Sequence, residues 1–245
     1  MNSEQPQKNR LLRLLDWIRP TAYGTPYRYE KKFIIPIQKL PHLEMLLYRK
    51  GCSTLFPSRW INNLYCDTYS GQSLNENIEG FSDRTKNRFR WYGDTFGIIE
   101  VTAEQKIKSD DVNRKNCAKL GEFEFNNFQD IPRFFESLKN KLRNLPMENN
   151  FLSIELQEPN LINRYQRKYL TNLNGDIRIT LDTNLSYYNI ITGLQSRQTN
   201  FCIVELKCSS NSPIIEDLLP LQLSKSSKFV EGMLTTDPKE STEFL

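Results

Sequence analysis

Polar and apolar residues alternate with a period of two over much of the chain, the pattern of strands with one buried and one wet face. It runs through residues 27–35 (YRYEKKFII), 63–69 (NLYCDTY), 86–93 (KNRFRWYG) and 97–108 (GIIEVTAEQKIK). It resumes over 162–171 (INRYQRKYLT), 176–185 (DIRITLDTNL) and 200–209 (NFCIVELKCS), with NLNG supplying a hairpin turn between the first two of these. Helical spacing interrupts it at 37–50 and at 128–145, where Lys and Arg gather towards the C-terminal end and suit the helix dipole. Residues 219–233 (LPLQLSKSSKFVEGM) read as a last helix. The first twenty residues read as an amphipathic one, with Leu11, Leu12, Leu14, Leu15 and Ile18 on its apolar side. Residues 70–84 read as a polar connection. Strands outnumber helices and join mostly through turns, so the expected class is α+β dominated by an antiparallel sheet.

Composition narrows the chemistry more than the fold. At 245 residues the chain suits one large domain or two small ones, with one as the default. The expected division is an N-terminal helix and lead-in over 1–26, a main domain over 27–233 and a flexible tail over 234–245. No apolar run approaches the roughly 18 residues that span a bilayer, and the start lacks a signal peptide's apolar core. A cytoplasmic protein is expected, with attachment at the inner face of a membrane left open. Five scattered cysteines without a CxxC pair argue against a disulfide framework or a zinc site. One histidine, His42, excludes chemistry that rests on a histidine pair. A metal would then need Asp and Glu oxygens, which suits Mg or Mn. The net charge of +4 does not by itself indicate nucleic acid, and none is expected as a partner.

The placement of charge is more telling than its sum. Residues i and i+2 of a strand share a face, so Arg28, Glu30 and Lys32 align, as do Lys86, Arg88 and Arg90. Thr102, Glu104, Lys106 and Lys108 form a third set, and Arg178, Thr180 and Asp182 a fourth. Glu205 and Lys207 oppose the apolar side of Cys202, Val204, Leu206 and Cys208, and Arg167 is flanked by Tyr165 and Tyr169. On one strand such a face is ordinarily solvated. Repeated over six, with helices to cover the apolar faces, the pattern predicts a sheet curled into a barrel whose basic side lines a water-filled tunnel. Like charges packed there need counterions, because an unpaired buried charge costs several kcal/mol. A polyanion of phosphates supplies them, and the interspersed carboxylates could hold a bridging metal.

These motifs, RYEKKF, LYCDT, RFRWYG, EQK, RYQRKYL, IRITLD, VELK and SKSSKFVEGM, resemble in sequence and order the VTC domain. This is the polyphosphate polymerase domain of the vacuolar transporter chaperone complex, in the triphosphate tunnel metalloenzyme or CYTH-like superfamily. The resemblance implies an antiparallel β-barrel tunnel with helices packed outside and a C-terminal closing helix. It implies that Lys32, Arg88, Arg90, Lys106, Arg167, Arg178, Lys207 and Lys228 act on the phosphates. Lys108, Lys225 and Tyr165 would touch substrate, with Lys225 less secure than Lys228. Glu205 would be the main metal ligand, with Glu30 and Glu104 as further candidates. Arg28 stands where the superfamily's opening motif has its first acid, which suits the VTC branch better than the hydrolases.

The activity so implied is transfer of the γ-phosphoryl group of ATP onto a growing polyphosphate chain, with Mn or Mg as cofactor. ATP and inorganic polyphosphate are the expected partners, with a membrane-protein partner left open. Such a transfer needs positioning and electrostatic stabilisation more than a covalent nucleophile, which fits a chain with one histidine. Hydrolysis of a triphosphate or polyphosphate on the same scaffold, and a module that only binds polyphosphate, are the alternatives.

Overall fold

In a computed structural model the alternation predicted from sequence becomes eight β-strands, accompanied by four α-helices, among the described residues. The structure describes residues 29–109, 112–145, 151–173, 175, 177–208, 223–224 and 226–238. The strands are β1 (Tyr29–Pro36), β2 (Ser53–Asp67), β3 (Arg84–Tyr92), β4 (Gly97–Ser109), β5 (Val112–Phe125), β6 (Glu158–Thr171), β7 (Ile177–Asn189) and β8 (Phe201–Cys208). The helices are α1 (Leu40–Arg49), α2 (Gln72–Glu79), α3 (Ile131–Arg143) and α4 (Lys228–Thr235). The expected N-terminal helix, Arg28 and Lys225 lie outside the described residues. No described helix is long and apolar enough to cross a membrane.

All eight strands belong to one sheet in the order β1-β8-β7-β6-β2-β3-β4-β5, and the β1–β8, β8–β7, β2–β3, β3–β4 and β4–β5 ladders are antiparallel. The predicted antiparallel class holds. Among the described residues, β1 and β5 end the hydrogen-bonded order.

The chain divides into two compact units. One draws on Met1–Arg59, Gln166–Asn184 and Thr199–Ser226, the other on Trp60–Tyr165, Leu185–Gln198 and Ser227–Leu245. Each has its own core. In the first, the apolar sides of β1, β7 and β8 (Phe33, Ile35, Ile177, Ile179, Leu181, Val204 and Leu206) meet Leu43 and Leu47 of α1. Proline at the start of α1 costs nothing there, since first-turn amides have no intrahelical acceptor. In the second, Leu64, Phe89, Trp91, Val101 and Ala103 meet Phe134, Phe135 and Leu138 of α3. Their 3- and 4-residue spacing puts these α3 side chains on one stripe. Burying each such large side chain stabilises the fold by about 1.5–3 kcal/mol.

Three departures from the sequence reading have local causes. Residues 72–79, expected as a connection, form α2, because the buried carboxylate of Asp67 accepts from the backbone of Ser73 (2.7 Å) and Leu74 (2.9 Å) and satisfies its first turn. Strand β5 was not foreseen. Its pairing with β4 slips by one residue between Val101 and Thr102, at a bulge where Gly121 takes φ +96°, so no single period of two runs through it. Of the helix expected over 219–233, residues 219–222 and 225 lie outside the described residues, and the helix that is described starts at Lys228, with Leu223 and Ser224 not helical. The Ser224 amide instead donates to the Lys32 carbonyl of β1 (2.8 Å), and Ser227 caps the helix by accepting from Val230.

Candidate phosphate-binding site

In the second unit, the register of β3, β4 and β5 stacks cations in rows. Lys86 stands opposite Lys106, and Lys106 opposite Lys115. One step along, Arg88 stands opposite Glu104, and Arg84 pairs with Lys108 at the other side of the lysine row. The bulge makes this arrangement. Beyond it Glu104 pairs with Cys117 and Lys106 with Lys115, whereas the register before the bulge would have put Asn116 opposite Lys106. Like charges directly opposite on a sheet destabilise it, so a row of lysines is a fold-level cost that a polyanion removes.

Glu104 holds the next row together. Its Oε2 accepts from Arg88 Nε at 2.8 Å and lies 2.6 Å from Arg88 Nη2; its Oε1 accepts from Lys115 Nζ at 2.9 Å and lies 3.4 Å from Arg90 Nη1. Burial by itself would raise its pKa, but Arg88, Arg90 and Lys115 together hold the carboxyl well below the usual carboxylate range. Arg90 donates through Nε to Asn63 (2.8 Å), whose amide donates to Asn163 (2.7 Å). Arg88 also reaches the Tyr65 hydroxyl (3.3 Å). Burial pushes the Tyr65 phenol up, yet Arg88, Arg90 and Lys228 bring it below its ordinary value. The ring of Tyr65 stacks on Phe229 of α4 at 5.2 Å. At the start of α4, Lys86 Nζ donates to the capping Ser227 hydroxyl (3.0 Å), and Lys228 Nζ lies over the Tyr165 ring at 4.9 Å.

The first unit carries a second cluster with a different balance. Cross-strand pairing aligns Lys32, Glu205 and Thr180 in one row and Glu30, Lys207 and Arg178 in the next. Lys207 Nζ is 2.6 Å from Glu205 and 3.4 Å from Glu30, and Lys32 is 3.0 Å from Glu30. Arg167 grips the wholly buried Asp182 with two hydrogen bonds of 2.6 and 2.7 Å and stands 4.0 Å from Glu205. The ring of Tyr169 has Arg59, Arg167 and Arg178 at 5.1, 5.9 and 5.3 Å. Cations and carboxylates are nearly matched here, while cations dominate around Glu104.

The expected site residues thus divide by unit. Lys32, Arg167, Arg178, Lys207, Glu30 and Glu205 gather in the first; Arg88, Arg90, Lys106, Lys108, Tyr165, Lys228 and Glu104 belong to the second. Asn63, Tyr65, Lys115 and Asn163 were absent from the sequence reading as site residues. Their shared face with the arginines depends on cross-strand register and on the bulge. Among the described residues no cluster of three or more His, Cys, Asp or Glu side chains is placed to hold a metal. Glu30 and Glu205 nevertheless close on one cation, the Lys207 ammonium, and such a carboxylate pair fits a hard divalent ion whose other ligands are phosphate oxygens and water.

Among solved structures, a putative adenylate cyclase from Vibrio parahaemolyticus aligns with TM-score 0.41 and 11% identity over 86% of this chain and 87% of that one. A protein from Pyrococcus horikoshii aligns with TM-score 0.46 and 13% identity over 84% and 97%. A putative adenylyl cyclase from Hippeastrum, described as having a dominant triphosphatase activity, aligns with TM-score 0.44 and 15% identity over 83% and 94%. No curated protein matches the chain. The family described as the VTC domain matches residues 27–236, nearly the whole of the sheet and its helices, and to that family the chain belongs.

Proposed function

We propose that the protein is a polyphosphate polymerase that moves the γ-phosphoryl group of ATP onto the end of an inorganic polyphosphate chain, with Mn or Mg as cofactor. The row of Lys86, Lys106 and Lys115 across three neighbouring strands carries this reading, because a multiply charged anion can engage several of these cations at once and relieve their repulsion. Membership of the VTC domain family supports it.

In this reading Arg88, Arg90, Lys106 and Lys228, joined by Lys86 and Lys115, hold phosphate oxygens, and Lys108 and Tyr165 contact the chain. Lys32, Arg167, Arg178 and Lys207 do the same work in the first unit, where Glu205 and Glu30 would hold the metal. A divalent ion held by these carboxylates would supply charge neutralisation on the phosphoryl oxygens. Glu104, already engaged by three cations, serves as their counterion rather than as a ligand. The terminal oxygen of the chain attacks the γ-phosphorus, the bond to the bridging oxygen of ADP breaks, and that oxygen leaves with the electron pair. The protein fixes the reacting groups and balances their charge.

Incubation of the purified protein with ATP and Mn, with products resolved by length on a gel, tests this directly. Long polymer is expected from the wild type and none from Arg90→Ala or Glu205→Gln, both folded by circular dichroism. Release of free phosphate without polymer would sink the polymerase reading and favour hydrolysis. Polyphosphate binding without turnover, unchanged by Glu205→Gln, would leave a binding module.

A further inference from the structure

The two arginines of β3 are held by different chemistry. Arg88 puts two of its nitrogens on a single carboxylate oxygen, Glu104 Oε2, at 2.8 and 2.6 Å, so its charge is met at close range. Arg90 gives its Nε–H to an uncharged amide, Asn63 Oδ1, at 2.8 Å. Among the described residues its carboxylate contact is a long 3.4 Å to Glu104 Oε1, and Lys115 occupies that oxygen at 2.9 Å. Arg90, like Arg88, is held by a short hydrogen bond, but its carboxylate contact is longer and shared with Lys115. The residue is 8% exposed, so water compensates it little as well.

The amide orientations follow from donor and acceptor rules. Guanidinium only donates, so the oxygen of Asn63 must face Arg90 and its NH2 must face away. That NH2 donates to Asn163 Oδ1 at 2.7 Å, which in turn fixes the second amide. Asn63 is 0% exposed and Asn163 1%, so neither can swing out to water. An Asp at 63 would make the same hydrogen bond and neutralise Arg90; the chain uses the neutral isostere.

We infer that Asn63, oriented by Asn163, is a positioning residue that fixes Arg90 through an uncharged acceptor and so keeps its positive charge available to a phosphate group. The inference rests on the phosphate-binding reading above and adds to it which arginine of the pair has the longer and shared carboxylate contact.

Calorimetric titration with tripolyphosphate over a series of salt concentrations tests it with Asn63→Asp and Asn63→Ala. Asn63→Asp is expected to stay folded, bind about tenfold more weakly, and reduce the slope of log affinity against log salt by about one, the loss of one ion contact. Asn63→Ala, which leaves the charge but frees the side chain, is expected to weaken binding with the slope unchanged. A folded Asn63→Asp protein with wild-type affinity and slope would overturn the inference, and so would equal slopes in the two variants. If Asn63→Asp does not fold, Asn63→Ala decides, with wild-type affinity as the overturning result. Failure of the wild type to bind tripolyphosphate would instead count against the phosphate-binding reading itself.

Discussion

Glu104 shows how a single side chain organises its surroundings. The residue is 6% exposed and its carboxylate faces Arg88, Arg90 and Lys115, so removing its charge leaves cations facing one another at low dielectric. Glu104→Gln is expected to cost about 3 kcal/mol at neutral pH, the scale for breaking a buried ion pair from one side. Because the folded-state pKa of Glu104 lies below its unfolded value, its contribution is complete above the unfolded value of about 4.3 and is lost as pH falls through the folded one. Urea denaturation of both proteins over a pH series should therefore show a gap that narrows below about pH 4. A gap that stays constant into acid would mean that the carboxylate is not the source of the difference. The arginines that Glu104 serves were legible in RFRWYG, but Lys115 was not, because its partner depends on a bulge.

At the scale of elements, α4 is the piece whose position rests on the closest packing. Gly232 lies against buried Leu161 and Tyr187, and a β-carbon there would meet Leu161 Cδ2 and Tyr187 Cδ1 at 2.5 Å each. Both neighbours are buried, so Gly232→Ala must shift one of them or the helix that carries Lys228 and Phe229. The expected cost is about 1–3 kcal/mol of stability, read from thermal melting, with weaker binding of tripolyphosphate. An unchanged melting temperature would show that α4 accommodates the methyl group. Elements with a long, unbroken pattern, such as β4, α3 and β8, were predictable because one apolar face runs their whole length. Strand β5 changes phase at Gly121, and α2 buries only Ser73 and depends on a carboxylate that precedes it in the chain. Local periodicity carries neither signal.

For the whole molecule, rows of like charge make the folded state depend on its counterions. Mass action then predicts that tripolyphosphate at about 100 times its dissociation constant stabilises the protein by about 2.7 kcal/mol, a rise of several degrees in melting temperature. Sodium chloride at equal ionic strength should produce a much smaller rise, since it screens the charges without engaging the arginine forks. Equal shifts in both salts would argue against a specific polyanion site. The sequence by itself determined the antiparallel class, the basic and apolar faces of the strands, and the family, because side-chain alternation and motif order are properties of the chain. Tertiary structure alone decided which cation meets which carboxylate. It set Lys86, Lys106 and Lys115 in one row, gave Glu104 three cationic partners, and gave Arg90 a neutral acceptor for its Nε–H beside its long contact with Glu104. Strand register and a one-residue bulge make those choices, and both depend on pairing between segments far apart in sequence.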